Sequence, residues 1–416
     1  MSAQTAVASF LDQTGAMVAS YLDACVHCGN CAPACHFYEA SGDPRHTPIY
    51  KLQPLAKAYR RHKAPFAGFN RMLGLAPAEV TEAELQEWQE LIYDTCTMCG
   101  RCTLACPMGI DIATHVHVSR RGMVAAGLAP PELMTVVDRS RDEGSPLGVT
   151  PEKLKERIEW LREEYDVDIP LDKPKAQVLL TASSIETMKY PEALAAMAKI
   201  LNHAGEDWTF STRGYEATNF GLLAGQIEVS ETMVCRIVET AEALGAKLVI
   251  LPECGHAYGA LRWSGANIIG RELQFEVLQI AEYLAKLKRE GRLQLSPLTE
   301  SITFHDPCQV ARRGGATDAP REVLAGFAQD FREMDHAGNG NWCCGGGGGV
   351  STISRANDLR HKTFEIKMRQ VEDTGAGTLV SSCANCRQTF DDDKSFYKWD
   401  RNVGSLVELV EDHLVQ

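Results

Sequence analysis

The sequence predicts an α+β multidomain protein, with a helical N-terminal domain followed by two tandem α/β repeats. The helical domain is predicted because one cysteine spacing occurs twice between residues 25 and 106, without strand-like alternation between the copies. The repeats are predicted because short apolar strands alternate with helical segments from residue 176 onward, as in parallel βαβ units. We expect domains over residues 1–165, 176–295 and 296–416.

Length, charge and cysteine content narrow the class of protein. The 416 residues carry a formal net charge of −13, which argues against nucleic-acid binding, because that needs a basic surface. No apolar run approaches the roughly 20 residues of a membrane-spanning helix, so we expect no direct membrane insertion. Fifteen cysteines without export features indicate a reducing compartment, and we expect the chain in the cytoplasm.

The repeated cysteine motif has the spacing C-x2-C-x2-C-x3-C and is the strongest signal in the sequence. Its two copies contain Cys25, Cys28, Cys31, Cys35, Cys96, Cys99, Cys102 and Cys106. Such runs hold [4Fe–4S] clusters, and in two-cluster ferredoxins the fourth cysteine of each run ligates the other cluster. Zinc is the alternative, but eight cysteines in two such copies disfavour it. We predict two cubane clusters, one held by Cys25, Cys28, Cys31 and Cys106, the other by Cys96, Cys99, Cys102 and Cys35.

The segments around the two motifs look helical. We expect helices over Thr5–Leu22, Pro48–His62, Thr81–Tyr93 and Thr150–Tyr165, with Thr81 and Glu84 forming a capping box. This arrangement resembles the helical ferredoxin domain of succinate-dehydrogenase-like iron–sulfur subunits. The basic cluster from Tyr59 to Lys63 is interpreted as a solvated helix end, with a partner-docking patch as the alternative.

A second group of thiols follows residue 300. It lies in the sequences H-D-P-C, W-C-C-G-G-G-G-G and S-C-A-N-C, and comprises Cys308, Cys343, Cys344, Cys383 and Cys386. The glycine run, with Gly345 and Gly346 next to the thiols, lets the backbone approach a bound group closely. Zinc takes four ligands, and core cysteines do not usually occur as an adjacent pair on a glycine loop. We therefore predict a third cluster here.

The first α/β repeat has lost most of these thiols. Ser183 and Ser184 stand where the second repeat has Cys308, and the segment 213–216 replaces the adjacent cysteine pair. Cys254 remains, with His256 two residues on, and these two residues are either structural or line the cleft opposite the cluster. Cys235, in the middle of a predicted helix, is interpreted as a core residue. One complete thiol set predicts one cluster in this region.

These features resemble the heterodisulfide-reductase family, in which a two-cubane helical domain accompanies a pair of cysteine-rich CCG domains. The resemblance covers residues 24–390, but family members have two intact CCG copies with non-cubane clusters, whereas the first copy here is degenerate. In this respect the chain is more similar to the DsrK-type iron–sulfur subunit of a sulfite-reductase-associated membrane complex. The resemblance implies that the five thiols hold a special [4Fe–4S] cluster, cubane or non-cubane, that meets substrate sulfur.

The resemblance also implies an activity and partners. We expect an oxidoreductase subunit that reduces, or in reverse forms, a disulfide or trisulfide of a thiol substrate or a sulfur-carrier protein. Four side chains are candidates for supplying a proton or orienting a carboxylate or thiolate, namely His305, Asp306, His256 and Arg312. Each histidine is equally consistent with a structural role. The alternative function is an electron relay between a dehydrogenase partner and the membrane quinone pool. Partners would include a quinol-oxidising membrane subunit or other redox subunits, which would place the chain at the membrane periphery. Neither NAD nor flavin is expected, because no dinucleotide-binding pattern occurs.

Overall fold

The computed structural model describes residues 3–415. Its α-helices are α1 (Ala3–Asp12), α2 (Ala16–Ala24), α3 (His36–Ser41), α4 (Gln53–His62), α5 (Ala67–Met72), α6 (Glu82–Gln89), α7 (Arg101–Ala105), α8 (Ile112–Ala125), α9 (Pro131–Glu143), α10 (Pro151–Tyr165), α11 (Ser184–Met188), α12 (Pro191–His203), α13 (Phe220–Ala224), α14 (Ile227–Leu244), α15 (Gly255–Tyr258), α16 (Gly265–Ile269), α17 (Ile280–Arg289), α18 (Asp318–Leu324), α19 (Asn357–Thr374), α20 (Ala384–Tyr397) and α21 (Leu406–Glu411). Its strands are β1 (Val178–Leu180), β2 (Trp208–Phe210), β3 (Leu248–Leu251), β4 (Glu276–Gln279), β5 (Leu298–His305), β6 (Ala328–Phe331), β7 (Thr378–Ser381) and β8 (Asn402–Ser405).

The chain divides into two compact units. The first comprises the residues up to Thr135 together with Gly221–Ile227 and Trp342–Lys367. The second comprises Val136–Phe220, Glu228–Asn341 and the residues from Met368 onward. The domain boundaries expected from the sequence, near residues 165 and 296, remain predictions.

The first unit is helical, and its described residues contain no strand. Helices α1 and α8 approach closely, since a Cβ at Gly122 would overlap the Phe10 ring at 2.1 Å. The single helix expected over Thr5–Leu22 is wrong, because α1 ends at Asp12 and α2 begins at Ala16. The Thr14 hydroxyl donates to the Phe10 carbonyl at 2.6 Å, a local bond that offers the backbone an alternative to helix continuation.

The helices expected over Thr81–Tyr93 and Thr150–Tyr165 are confirmed in position, whereas the α-helix expected over Pro48–His62 begins later, at Gln53. The side chains of Thr81 and Glu84 form the predicted capping box at the start of α6. This helix continues into a π-helical turn over Glu90–Asp94, just before the second cysteine motif. Helix α10 begins one residue after Thr150, whose hydroxyl accepts a hydrogen bond from the Lys153 N–H.

The second unit contains two parallel four-stranded sheets. Their strand orders are β2-β1-β3-β4 and β6-β5-β7-β8, so the same topology occurs twice. This confirms the predicted parallel α/β architecture. Strands β1 and β3 are apolar and buried along their whole length, as is typical of parallel sheets that are covered on both faces. One continuous core joins residues of both sheets, including Leu180 of β1 and Phe304 of β5.

No helix among residues 3–415 combines the length and the apolar character that crossing a membrane requires.

Candidate metal centres

The two ferredoxin-type motifs share one backbone pattern. The residue before the second cysteine has a positive φ in both copies, 56° at His27 and 54° at Met98. The residue after that cysteine is a glycine with a positive φ, 83° at Gly29 and 75° at Gly100. Glycine adopts this left-handed conformation without steric cost. Each motif therefore folds into tight turns that gather its first three thiols.

The fourth cysteine of each motif lies beside the other motif, so the thiols form two groups of four. The groups are Cys25, Cys28, Cys31 and Cys106, and Cys35, Cys96, Cys99 and Cys102. Burial raises the pKa of Cys31 to about 11, and the three neighbouring thiols add to the rise. Burial and the thiols of its own group likewise raise the pKa of Cys102. The structure thus brings together the same residues as the predicted ligand sets.

The second group surrounds a cavity, whose wall includes all four of its thiols. Four cysteine thiolates around one space are the ligand set of a [4Fe–4S] cluster. The residues of this cavity therefore fit the cluster that the sequence predicts.

Lys51 is buried in the wall of the same cavity. Its ammonium donates to the Thr95 carbonyl and lies 3.5 Å from the Cys35 sulfur. Burial lowers the pKa of Lys51, but the thiols of Cys35, Cys96 and Cys102 outweigh burial and raise it overall. The ammonium therefore keeps its positive charge beside the sulfur ligands. The sequence does not indicate that the Lys51 ammonium lies beside the thiols, because Lys51 lies in a segment that looks like an ordinary polar helix start.

The segment Trp342–Gly349, here called the CCG segment, contains the adjacent cysteine pair and belongs to the first unit. There it contacts the second ferredoxin-type motif. The Cys343 thiol donates to the Thr97 hydroxyl at 3.4 Å. The preceding Trp342 ring lies 3.5 Å from the Arg101 guanidinium. A Cβ at Gly348 would come within 2.8 Å of the Thr97 backbone, so glycine is required for this approach. The CCG segment thus lies directly on the Cys96–Cys102 run.

The glycines next to the cysteine pair are also confined. Gly345 has φ 95°, and a Cβ there would come within 2.7 Å of the Thr363 hydroxyl. Cys344 and Gly346 are buried. The backbone of this segment therefore has little freedom to rearrange.

Arg120 stabilises the contact between the CCG segment and the second ferredoxin-type motif. Its buried guanidinium donates to the carbonyl oxygens of Ile92 at 2.8 Å, Cys96 at 2.8 Å, Leu223 at 2.5 Å and Gly348 at 2.5 Å. Hydrogen bonds from a charged donor contribute more than neutral ones. One arginine therefore holds the second cysteine motif and the glycine segment together.

Three thiols of the second unit follow the carboxyl ends of strands. Cys308 follows β5, Cys383 follows β7, and Cys254 follows β3, and all three are buried. Ligand sites of α/β sheets occur at such strand ends. Cys386 lies in the first turn of α20, and its thiol donates a hydrogen bond that lowers the pKa of Cys383.

Cys254 of the degenerate repeat lies beside Cys383 of the intact one. Burial raises the pKa of Cys254, and the Cys383 thiol raises it further. The two loops are joined by a hydrogen bond of 2.6 Å from the Ala384 N–H to the Glu253 carbonyl. A Cβ at Gly255 would also come within 2.9 Å of Gln309, next to Cys308. The structure therefore places Cys254 near the thiols of the intact repeat. Cys235, interpreted from the sequence as a core residue, lies only half-buried in α14.

The histidines differ in their surroundings. His305 is buried at the end of β5, with its ring edge-on to Phe390 at 4.9 Å between centroids. His256 is partly buried in α15. Arg312, also considered for orienting a substrate, donates to the carbonyl oxygens of Asn339 and Asn341 and so supports a loop.

The degenerate repeat contains buried carboxyl groups that were not predicted from the sequence. Glu186 accepts from the Ser183 hydroxyl at 2.7 Å and from the Glu253 N–H at 3.0 Å, and Glu216 accepts from the Ser184 N–H at 2.9 Å. Burial raises the pKa of Glu186 and of Glu216 to about 7. The capping-box spacing of Ser183 and Glu186 was the one signal in the sequence.

Comparison with known families identifies both cysteine regions. Residues 21–110 match the family model of the 4Fe-4S dicluster domain, and residues 302–391 match that of the cysteine-rich domain, CCG. The chain is 28% identical to the Hdr-like menaquinol oxidoreductase iron-sulfur subunit 2 of Archaeoglobus fulgidus, over 95% of this chain and 80% of that protein. The chain is a homologue of heterodisulfide-reductase-like iron–sulfur subunits. It is accordingly an iron–sulfur electron-transfer subunit of an oxidoreductase family.

Two further relatives of this heterodisulfide-reductase-like chain share different fractions of their length with it. A dihydromethanophenazine:CoB–CoM heterodisulfide reductase subunit of Methanosarcina barkeri is 29% identical, over 94% of both chains. The EtfAB:quinone oxidoreductase of Syntrophomonas wolfei is 29% identical, over 86% of this chain and 52% of that protein. The crystal structure of a hypothetical protein from Helicobacter pylori aligns with a TM-score of 0.50 and 12% identity, over 80% of this chain and 64% of that chain. That likeness concerns the fold alone.

Proposed function

We propose that the chain carries electrons through two ferredoxin-type clusters to a third cluster, where a disulfide or trisulfide is reduced, or formed in the reverse direction. The substrate would be a small thiol compound or a sulfur-carrier protein. The proposed ligands of the third cluster are Cys308, Cys343, Cys344, Cys383 and Cys386, and those of the first two are the two groups of four thiols described above.

The contact between Cys343 and Thr97 carries this proposal. Thr97 is covalently continuous with Cys96, a proposed ligand of the second ferredoxin-type cluster, and its hydroxyl lies 3.4 Å from the Cys343 thiol. An electron leaving that cluster would therefore reach a proposed ligand of the third across one hydrogen bond. Arg120 and the glycine at position 348 hold the two segments at this distance.

The chemistry requires protons as well as electrons. Reducing a disulfide breaks one S–S bond, consumes two electrons and two protons, and forms two S–H bonds. The clusters, when bound, supply the electrons one at a time. His305 and His256 are the proposed proton donors, since imidazole exchanges protons near neutral pH.

Turnover with a viologen donor tests the proposal. With reduced methyl viologen and a panel of small disulfides and trisulfides, Cys344→Ser should abolish disulfide-dependent oxidation while both ferredoxin-type clusters stay reducible by dithionite. Cys235→Ser is the matched control, because it removes a thiol from α14, and it should keep wild-type turnover. Cys99→Ser should slow electron delivery and leave the spectrum of the third cluster in place. Full turnover by Cys344→Ser would contradict the proposal.

An electron relay between a dehydrogenase partner and the membrane quinone pool is the second candidate. The similarity to an EtfAB:quinone oxidoreductase favours it, as does the loss of thiols from the first repeat. A relay would reduce quinone analogues through its clusters but show no disulfide turnover with any substrate.

Attachment to the membrane is proposed to depend on a partner. The relative named as a menaquinol oxidoreductase subunit supports a quinol-oxidising membrane subunit as that partner. Expressed without partners, the chain should remain in the supernatant after ultracentrifugation, and it should sediment with membranes when the partner is present.

A further inference from the structure

The first unit exposes a cluster of large apolar side chains on α5 and on the residues just before and after it. The cluster, here called the α5 patch, comprises Phe66, Phe69, Met72, Leu73 and Leu75, which are 51% to 79% exposed. Isolated exposed apolar residues are ordinary, but a contiguous group of this kind marks an interaction surface. Phe66 also has φ 61°, a left-handed backbone conformation that is unfavourable for a bulky residue.

Helix α4 connects this patch to the first group of thiols. The Tyr59 hydroxyl donates to Asp23 at 2.8 Å, and the Arg60 guanidinium lies 3.2 Å from the His27 ring. His27 lies between Cys25 and Cys28, and Cys28 is exposed. The Arg71 guanidinium of α5 donates to a main-chain carbonyl of α4 at 2.9 Å. The α5 patch is therefore held in a fixed position relative to an exposed thiol of this group.

Apolar side chains also border the first thiol group itself. Val26, next to Cys25, and Leu104 and Met108, which flank Cys106, are each more than half exposed. The second thiol group has a different neighbour, the CCG segment. Electrons exchanged with another molecule would therefore pass most directly through the first group, at an apolar surface.

The charges around the α5 patch are mainly positive. Arg60, Arg61, Lys63 and Arg71 lie on or next to α4 and α5, and Glu79 pairs with Arg61. This local excess contrasts with the net charge of −13 for the whole chain. A partner with carboxylates around an apolar face would be attracted to this surface and repelled by most of the remaining surface of the chain, which is negatively charged.

We infer that the α5 patch is the docking surface of the redox protein that exchanges electrons with the first ferredoxin-type cluster. The inference rests on the proposed function, because it names the place at which the proposed partner binds. The occupant is a protein with an apolar face inside a carboxylate rim, which delivers electrons beside Cys28.

Electron entry from native membranes tests the inference. The holoprotein is mixed with washed membranes of its own organism that lack this chain, and a soluble menaquinol analogue serves as donor. Bleaching of the iron–sulfur absorption gives the second-order rate of reduction. Phe69→Ser/Met72→Ser should lower this rate by about tenfold, as loss of central apolar contacts does at interfaces. These side chains are exposed, so the variant should fold normally.

Phe396→Ser is the matched control, because Phe396 is 59% exposed and Phe69 is 56% exposed. It should keep the wild-type rate, and all variants should be reduced fully by dithionite. Lys63→Glu should slow reduction at low ionic strength and approach wild type at high salt. A wild-type rate for Phe69→Ser/Met72→Ser would overturn the inference.

Lipid is the competing occupant, and a vesicle assay separates it from protein. Wild-type binding to protein-free phosphatidylcholine–phosphatidylglycerol vesicles that is lost in Phe69→Ser/Met72→Ser would overturn the inference in favour of a membrane surface. Absence of such binding, with the slow reduction above, supports a protein partner. Viologen-driven disulfide turnover should be unchanged in the variant. If the wild type shows no such turnover, the proposed function fails while the rate of cluster reduction still tests the docking surface.

Discussion

Removing the charge of Lys51 should lower the reduction potential of the second ferredoxin-type cluster. Reduction adds negative charge to a cluster, so a fixed ammonium beside it stabilises the reduced state. Lys51 is buried, and its nitrogen lies 3.5 Å from the sulfur of Cys35. The substitution Lys51→Met keeps most of the side-chain length and removes the charge.

The expected size follows from Coulomb's law. With a nitrogen 3.5 Å from one ligand sulfur, the distance to the cluster centre is about 6 Å. At an effective dielectric constant of about 20, one unit charge at that distance contributes about 3 kcal/mol. For a one-electron couple this corresponds to about 120 mV. Electrons would then pass less readily from the first cluster to the second.

A redox titration followed by electron paramagnetic resonance measures the shift. The control is Lys57→Met, which removes a lysine of α4 that pairs with Glu84 at the surface. We expect Lys51→Met to lower one cluster potential by about 120 mV and Lys57→Met to leave both within about 20 mV. Equal potentials in wild type and Lys51→Met would refute the electrostatic reasoning.

Three further predictions concern the packing, the buried carboxyls and the iron content. Gly348→Ala should lower the free energy of unfolding by about 3 kcal/mol, because its Cβ would clash with the Thr97 backbone. Gly205→Ala, at a similar φ of 66° but with open space, should cost only about 1 kcal/mol in the same denaturant titration. Burial raises the pKa of Glu216 from 4.5 to about 7, so its stabilising contribution is complete below pH 4.5 and is lost as the pH rises through 7. Glu216→Gln should therefore flatten the fall of the unfolding midpoint over that pH range, and equal slopes would contradict this. Anaerobically purified protein should contain about 12 iron per chain, whereas about eight would mean that the five-thiol site holds no cluster.

The sequence predicted those features that depend on local spacing. The two cysteine motifs, the Thr81–Glu84 cap and the apolar strands of both repeats are each encoded within a few residues. The crossed arrangement of Cys35 and Cys106 was expected because the ligands of two-cluster ferredoxins follow a known rule.

Features that depend on distant contacts could not be predicted. Nothing near Arg120 in the sequence indicates that it binds carbonyl oxygens of Ile92, Leu223 and Gly348, which are remote along the chain. The burial of Lys51 could not be predicted either, because the residue lies in a polar segment. The interruption of the helix expected over Thr5–Leu22 was not predicted; α1 ends at Asp12, and the Thr14 hydroxyl donates to the Phe10 carbonyl just after it.

The central claim is that substrate sulfur meets the five-thiol site and not the ferredoxin-type clusters. Electron paramagnetic resonance of the oxidised protein, recorded while the thiol form of each candidate substrate is added, tests it most directly. We expect that one thiol or sulfur-carrier protein alters a [4Fe–4S] signal in the wild type, and that the alteration is absent in Cys344→Ser. Unchanged spectra with every candidate, from protein shown to contain all three clusters, would contradict the claim and favour the relay.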